Sequence, residues 1–250
     1  MSMHKYGWRP DLPDVRDLKY ESVTAKLLPQ KTSLRRYCSP IEDQGQLGSC
    51  TGNALVGCLE LLERMDGKPQ IDLSRLFCYY NARLLEGTTQ EDSGATIRDV
   101  VKGAVKYGVC AEQIWRYDIA QFALRPSKET YSQAKRNLIT EYRRVTGLTA
   151  MKTAIASGYA LIIGISIYDS FESQEVARTG IVPMPGVEET LLGGHAVAVI
   201  GYNDATKRFE CRNSWGTGWG DAGYFTIPYA YLTNDDLAAD CWCIIRDRGF

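Results

Sequence analysis

Three separated segments contain the side chains that a cysteine nucleophile requires. They are residues 44–50 (QGQLGSC), 193–197 (GGHAV) and 213–220 (NSWGTGWG). In such a site a thiol attacks the substrate, an imidazole takes and returns a proton, and an amide side chain holds the imidazole ring. The chain has only two histidines, and the other, His4, lies near the N-terminus. The sequence therefore predicts Cys50, His195 and Asn213 as the reacting set.

Each of these three residues also has an ordinary structural interpretation. A cysteine is often a small buried residue, a histidine can be satisfied inside a sheet, and an asparagine commonly forms a turn. Two glycines precede His195, at positions 193 and 194, and they allow backbone and substrate to approach closely. This local pattern favours the catalytic interpretation of His195.

The order of the three groups and their flanking residues resembles the papain family of cysteine peptidases. That family places Cys-Gly-Ser/Ala-Cys-Trp/Tyr around its nucleophile, whereas residues 47–51 here read LGSCT. Leu47 and Thr51 thus depart from the signature. His195 follows Cys50 by 145 residues, within the family's interval, and Asn213 follows by 163. The NSWGTGWG segment is the most specific match, and the resemblance extends from Leu28 to the last predicted strand.

The resemblance implies roles for further residues. The Gln44 side-chain amide and the backbone N–H of Cys50 would form an oxyanion hole, although a solvated loop glutamine is the alternative interpretation of Gln44. The resemblance assigns the substrate-binding positions to Ser93, Gly94, Gly194 and Trp215. In this scheme the Gly94 backbone pairs with an extended substrate, Gly194 opens the rim of the specificity pocket, and Trp215 shields the contact between Asn213 and His195.

A thiol nucleophile reacts as its thiolate, so the pKa of Cys50 matters. A free cysteine is mostly protonated at neutral pH. The positive end of a helix dipole and a protonated His195 would both stabilise the anion. We therefore expect a pair consisting of a Cys50 thiolate and a His195 imidazolium.

Composition excludes several other classes of function. The 250 residues carry 29 basic and 30 acidic side chains, without a block of like charge, so nucleic acid and anionic membranes are not expected partners. The apolar run at 161–167 is too short to span a bilayer, and the N-terminus lacks the apolar core of a signal peptide. We expect a monomer that acts on a peptide or protein substrate.

The eight cysteines do not have the density of a disulfide scaffold. The resemblance places a disulfide-bonded cysteine at position 47, which is leucine here. We therefore expect a mostly reduced, cytoplasmic protein, with export by another route as the alternative. Residues 241–243 (CWC) lack the second ligand cluster of a zinc site, so a strand is the preferred interpretation. Neither a metal nor a cofactor is expected.

Hydrophobic periodicity predicts a helical half followed by a sheet. A long buried helix begins at Cys50 and stops near residues 66–69, and further helices are predicted at 74–85, 96–107, 128–144 and 151–157. Strands are predicted at 161–168, 195–202, 208–212 and 223–227. Because of the resemblance, we expect an α+β, papain-like fold of two lobes with the cleft between them.

The predicted domain organisation is a leader followed by the two lobes. Residues 1–27 form an extended leader, and residues 28–250 form the peptidase domain. Within that domain a helical lobe spans about 49–148, an antiparallel, β-barrel-like lobe spans about 149–250, and residues 28–48 cross over.

The predicted activity is hydrolysis of peptide bonds through a thioester acyl-enzyme. Two alternatives remain: acyl transfer or isopeptide cleavage at the same site, and a peptide-binding protein that uses a peptidase scaffold without catalysis. The leader adds a regulatory hypothesis, in which residues 1–27 lie over the cleft as an extended strand. A surface-packed arm is the alternative.

Overall fold

The computed structural model describes residues 5–21, 27–69, 71–137, 139 and 141–245. The helices are α1 (Cys50–Met65), α2 (Arg75–Glu86), α3 (Ile97–Tyr107), α4 (Lys128–Ala134), α5 (Leu148–Ala156), α6 (Gln174–Thr179) and α7 (Tyr229–Leu232). The strands are β1 (Lys31–Ser33), β2 (Glu141–Arg144), β3 (Leu161–Tyr168), β4 (Leu191–Asn203), β5 (Arg208–Arg212), β6 (Tyr224–Pro228) and β7 (Ala238–Ile245). Together they form the predicted α+β, two-lobe fold.

Helix α1 is the centre of the helical lobe. Fourteen of its sixteen residues are buried, because it packs against α2 and α3 on one side and against strand β4 on another. The Ser74 and Thr96 side chains accept the third backbone N–H of α2 and α3 respectively, which satisfies a donor that the first turn leaves without a partner. This packing fixes the start of α1, and with it Cys50, against the sheet.

The second lobe is one antiparallel sheet with the strand order β2-β7-β3-β4-β5-β6, and β1 pairs with the end of β4. The sheet is antiparallel, as predicted for the barrel-like lobe, but it is not closed into a barrel. Strand β3 is buried along nearly its whole length, which explains its continuous apolar sequence. In the register of β3 and β4, Ile165 lies opposite His195. None of the helices in the described residues is long and apolar enough to cross a membrane.

One predicted helix is half wrong. Only the first part of 128–144 is helical, since α4 ends at Ala134 and residues Glu141–Arg144 form strand β2. Strand β2 pairs with β7, and its Arg144 lies opposite Trp242. Pairing with a distant strand overrides the local helical pattern here. The strands that follow the helical half therefore begin at Glu141, before the boundary predicted near residue 149.

Other observed element boundaries differ from the predicted ones by a few residues. Strand β4 begins at Leu191, four residues before His195, and 241–243 lie inside β7, the strand expected there. Strand β1 and helices α6 and α7 were not predicted. Residues 1–4 and 22–26 of the predicted leader, and 246–250 of the predicted β lobe, lie outside the described residues.

Candidate active site

The sulfur of Cys50 lies where the two lobes meet. Cys50 is the first residue of α1 and is fully buried. Backbone N–H groups of Cys50, Thr51 and Ala196 point at its sulfur. Because Ala196 directly follows His195 in β4, this contact brings the start of the helix to the sheet residue beside the predicted base.

Asn213 and Trp215 hold the His195 ring. The ring Nε2 lies 2.8 Å from Asn213 Oδ1. A carbonyl oxygen can only accept, so Nε2 carries the hydrogen and Nδ1 is left as the basic nitrogen. The Trp215 indole stacks on the imidazole, with ring centroids 4.8 Å apart. All three side chains are buried, and exclusion of water strengthens the hydrogen bond.

The Gln44 side chain is buried beside the nucleophile. Its Oε1 accepts from Ser214 Oγ at 2.7 Å, and its Nε2 donates to the Leu47 carbonyl and to the Lys5 carbonyl, each at 3.0 Å. Lys5 belongs to the predicted leader. The amide that the sequence assigns to an oxyanion hole therefore already holds a peptide carbonyl.

Residues 5–9 of the leader lie across the site. Trp8 N–H donates to the Gly194 carbonyl at 3.0 Å, while the Ala95 N–H donates to the Gly7 carbonyl at 2.8 Å. The Arg9 N–H donates to the Ala95 carbonyl at 3.2 Å, so the leader and Ala95 form a parallel bridge. The Gly7 N–H points at the Cys50 sulfur. The leader thus joins the two walls of the cleft directly above the nucleophile.

The walls of the cleft lack the side chains that would exclude the leader. A Cβ atom built on Gly164 would lie 1.9 Å from the Trp8 ring, and one on Gly194 would lie 2.6 Å from the Trp8 carbonyl. Trp8 therefore fills a pocket in which its indole N–H lies 3.3 Å from Asp240 Oδ2. Tyr6, two residues earlier, packs edge-on against the His195 ring.

Burial changes the pKa of the nucleophile. It raises the pKa of the Cys50 thiol to about 11, and the backbone N–H groups that point at the sulfur oppose this rise only in part. The direction is opposite to the expected lowering. Desolvation of an anion is the reason, since the sulfur is fully buried.

A second set of contacts holds the leader farther along, and we call it the leader clamp. It consists of Asp11, Asp17, Arg98, Arg144 and Asp240. Arg144 contacts Asp11 and Asp17 at 2.9 Å each and Asp240 at 3.2 Å, while Arg98 contacts Asp17 at 2.6 Å. Burial, followed by the nearby Asp240 carboxylate, raises the pKa of Asp11 to about 6.

The predicted substrate-binding residues lie along this cleft, which the leader occupies, so the roles assigned to them toward substrate stay predictions. The Gly94 N–H donates to the Tyr79 hydroxyl at 3.1 Å, and the neighbouring Ala95 carries the backbone pairing with the leader. Gly94 has a φ of +69°, and a Cβ there would lie 2.2 Å from the Gly7 carbonyl. Ser93 Oγ donates to Thr88 Oγ1 at 2.8 Å.

Sequence reasoning missed several residues of the cleft. Ala95, Asp240 and the leader's Tyr6 and Trp8 were not assigned. Asp240 has no local motif, since it precedes a cysteine in an ordinary strand pattern. Tyr6 and Trp8 were a signal that could have been used, because an aromatic side chain contributes a large apolar area when it is buried.

The chain is similar to known cysteine proteases over most of its length. The profile described as papain family cysteine protease matches residues 28–241. The crystal structure of xylellain, a cysteine protease from Xylella fastidiosa, superposes with a TM-score of 0.89 at 38% identity, covering 96% of each chain. An uncharacterized peptidase C1-like protein of Acanthamoeba polyphaga mimivirus is 42% identical over 81% of this chain and 68% of its own length.

Chicken cathepsin K is a more distant relative. It is 30% identical over 76% of this chain, which spans 55% of that protein. The range matched by the family profile, residues 28–241, spans both lobes and contains the positions of Cys50, His195 and Asn213. The chain belongs to the papain family of cysteine proteases.

Proposed function

We propose that the chain hydrolyses peptide bonds through a covalent thioester on Cys50. One observation carries this proposal: the nucleophile at the start of α1 contacts Ala196, and the adjacent His195 has its ring held by Asn213 with Nδ1 left basic. Once substrate replaces the leader, His195 takes the thiol proton and the thiolate attacks the carbonyl carbon. His195 then protonates the leaving amine, and water releases the acid by the reverse sequence.

Gln44 stabilises the oxyanion in this proposal, together with the Cys50 backbone N–H. The support is that Gln44 Nε2 already donates to the Lys5 carbonyl. Its Oε1 is held by Ser214, which fixes the direction in which the donors point. Removal of one such donor lowers kcat by about 10² to 10³ in other enzymes.

The decisive variant is Cys50→Ala, with Cys58→Ala as its matched control. Cys58 is another buried cysteine of α1. We expect the parent and Cys58→Ala to cleave a broad fluorogenic peptide library and Cys50→Ala to cleave none of it. Equal cleavage by Cys50→Ala would contradict the proposal.

The same library separates the two alternatives. A parent chain that binds peptides but cleaves none would favour the binding-protein alternative. Products joined to an added amine, in place of the free acid, would favour acyl transfer.

We further propose that the leader inhibits the enzyme in cis. The leader presents the Gly7 N–H to the sulfur, so no carbonyl carbon of that residue is offered for attack. It also uses the Gln44 amide and the pocket that holds Trp8. Displacement of residues 5–9 would expose the thiol to water and to substrate. The enzyme is proposed to act as a monomer on peptides or proteins, and its near-balanced charge supports neither nucleic acid nor membrane as a partner.

A further inference from the structure

A half-buried acidic side chain, Asp92, connects the two loops that border the site. Asp92 accepts the Gly48 N–H at 3.1 and 3.2 Å through its two oxygens, and it accepts the Tyr79 hydroxyl at 2.5 Å. On its more accessible side, Asp92 forms a salt bridge of 2.6 Å with Lys5 of the leader. None of these contacts involves the reacting groups directly.

The Gly48 contact reaches the oxyanion hole through one peptide unit. The peptide between Leu47 and Gly48 donates its N–H to Asp92 and accepts Gln44 Nε2 on its carbonyl. Both ends of the unit are therefore fixed, and its plane determines where the Gln44 amide can point. The Ser49 N–H also donates to the Leu47 carbonyl, at 2.8 Å, so without Asp92 the carbonyl side would stay held while the N–H side would lose its partner.

Tyr79 connects the Asp92 carboxylate to Gly94, one of the predicted substrate-binding residues. Its hydroxyl donates to Asp92 and accepts the Gly94 N–H at 3.1 Å. Burial, followed by the hydrogen bond to Asp92, raises the pKa of Tyr79, so the hydroxyl keeps the proton that it donates. The ring is fully buried in α2, and the Arg83 guanidinium lies 4.1 Å above its centre. The position of this hydroxyl is therefore well defined.

We propose that Asp92 and Tyr79 are positioning residues for the peptidase reaction. They hold the Leu47–Gly48 peptide, and through it the Gln44 amide, at a fixed position relative to Gly94, the residue predicted to pair with the substrate backbone. The inference rests on the proposed function, because an oxyanion must form for the position of Gln44 to matter.

The test compares Tyr79→Phe with the same substitution at Tyr80, the next residue of α2. Tyr79→Phe removes one hydroxyl and keeps the buried ring. We expect it to lower kcat for a fluorogenic peptide by about tenfold, less than the 10² to 10³ for removal of an oxyanion donor, because Gln44 is displaced but present. Tyr80→Phe should retain the parental kcat.

Alkylation of Cys50 by iodoacetamide provides a second readout. The alkylation rate depends on access of the reagent to Cys50 and on the fraction of thiolate, but the reaction forms no oxyanion. In Tyr79→Phe this rate should therefore stay within about twofold of the parental rate. A parallel tenfold fall in alkylation and hydrolysis would overturn the proposal, because it would indicate general disorder of the site. Unchanged hydrolysis in Tyr79→Phe would also overturn it.

A double-mutant cycle isolates the route through Gln44. If Tyr79 acts on that amide, Tyr79→Phe should have little further effect on kcat in a Gln44→Ala background. A full tenfold loss in both backgrounds would refute the route. A parent chain that cleaves no peptide would overturn the proposed function and this inference together, whereas an active parent with an unaffected Tyr79→Phe would overturn only the inference.

Discussion

The substitution Gly7→Ala should activate the enzyme without touching its catalytic groups. A Cβ on Gly7 would lie 1.8 Å from the Gly48 carbonyl oxygen, whereas real Cβ atoms essentially never approach closer than 3.0 Å. The leader must therefore move by about 1.2 Å or more, because the Gly48 backbone cannot give way easily. Two hydrogen bonds flank this point, the Ala95 N–H to Gly7 and the Trp8 N–H to Gly194.

Loss of those two bonds sets the expected size of the effect. At about 1 kcal/mol net for each, the docked leader is destabilised by about 2 kcal/mol, which shifts the docking equilibrium by about 30-fold. We expect kcat/KM for a fluorogenic peptide to rise by about that factor, after normalisation to titrated active sites. The matched control is Val15→Ala, since the Val15 side chain is fully exposed on the same leader. Equal kcat/KM for the parent, Gly7→Ala and Val15→Ala would refute leader inhibition.

Two further predictions concern pH and the catalytic ring. The docked Asp11 has a pKa of about 6 against an ordinary 3.8, so its contribution to docking is fully present below about pH 4 and is lost as the pH rises through 6. Docking should be about tenfold weaker at pH 7 than at pH 5. We expect the ratio of kcat/KM for Gly7→Ala to kcat/KM for the parent to fall as the pH rises from 5 to 7. In an Asp11→Asn background the same ratio should not change with pH. A ratio independent of pH in chains that retain Asp11 would contradict this prediction. Asn213→Ala removes the 2.8 Å contact that orients His195, so kcat should fall by about 10²-fold while KM changes little. Steady-state kinetics in which kcat stayed within about threefold of the parental value would refute this role of Asn213.

Local patterns predicted much of the fold. Helix α1 was predicted because its apolar residues recur at helical spacing, and strand β3 because it is continuously apolar; both are observed at the predicted positions. Strand β2 was missed because its four residues are only half-buried and are held by distant β7. Pairing of this kind leaves no periodic signal in a short segment.

For the site, too, local motifs were predictive and long-range contacts were not. Cys50, His195 and Asn213 were named from short motifs, because each chemical role requires one residue type and the flanking glycines mark close approach. The contacts of Asp240 and Asp92 depend on which loops the fold brings together, so neither residue stood out in the sequence. The raised pKa of Cys50 was also unpredictable from a motif, since it arises from the complete burial of the sulfur, which only the fold defines.

The central claim, that Cys50 is the nucleophile and that the leader controls access to it, is tested most directly by covalent trapping. The parent and Gly7→Ala chains would be incubated with an irreversible epoxide inhibitor of cysteine proteases, followed by intact mass and peptide mapping over time. We predict a single adduct, on Cys50 and on none of the seven other cysteines, that forms faster in Gly7→Ala and abolishes hydrolysis. An adduct on another residue, or equal labelling rates in the two chains, would contradict this account.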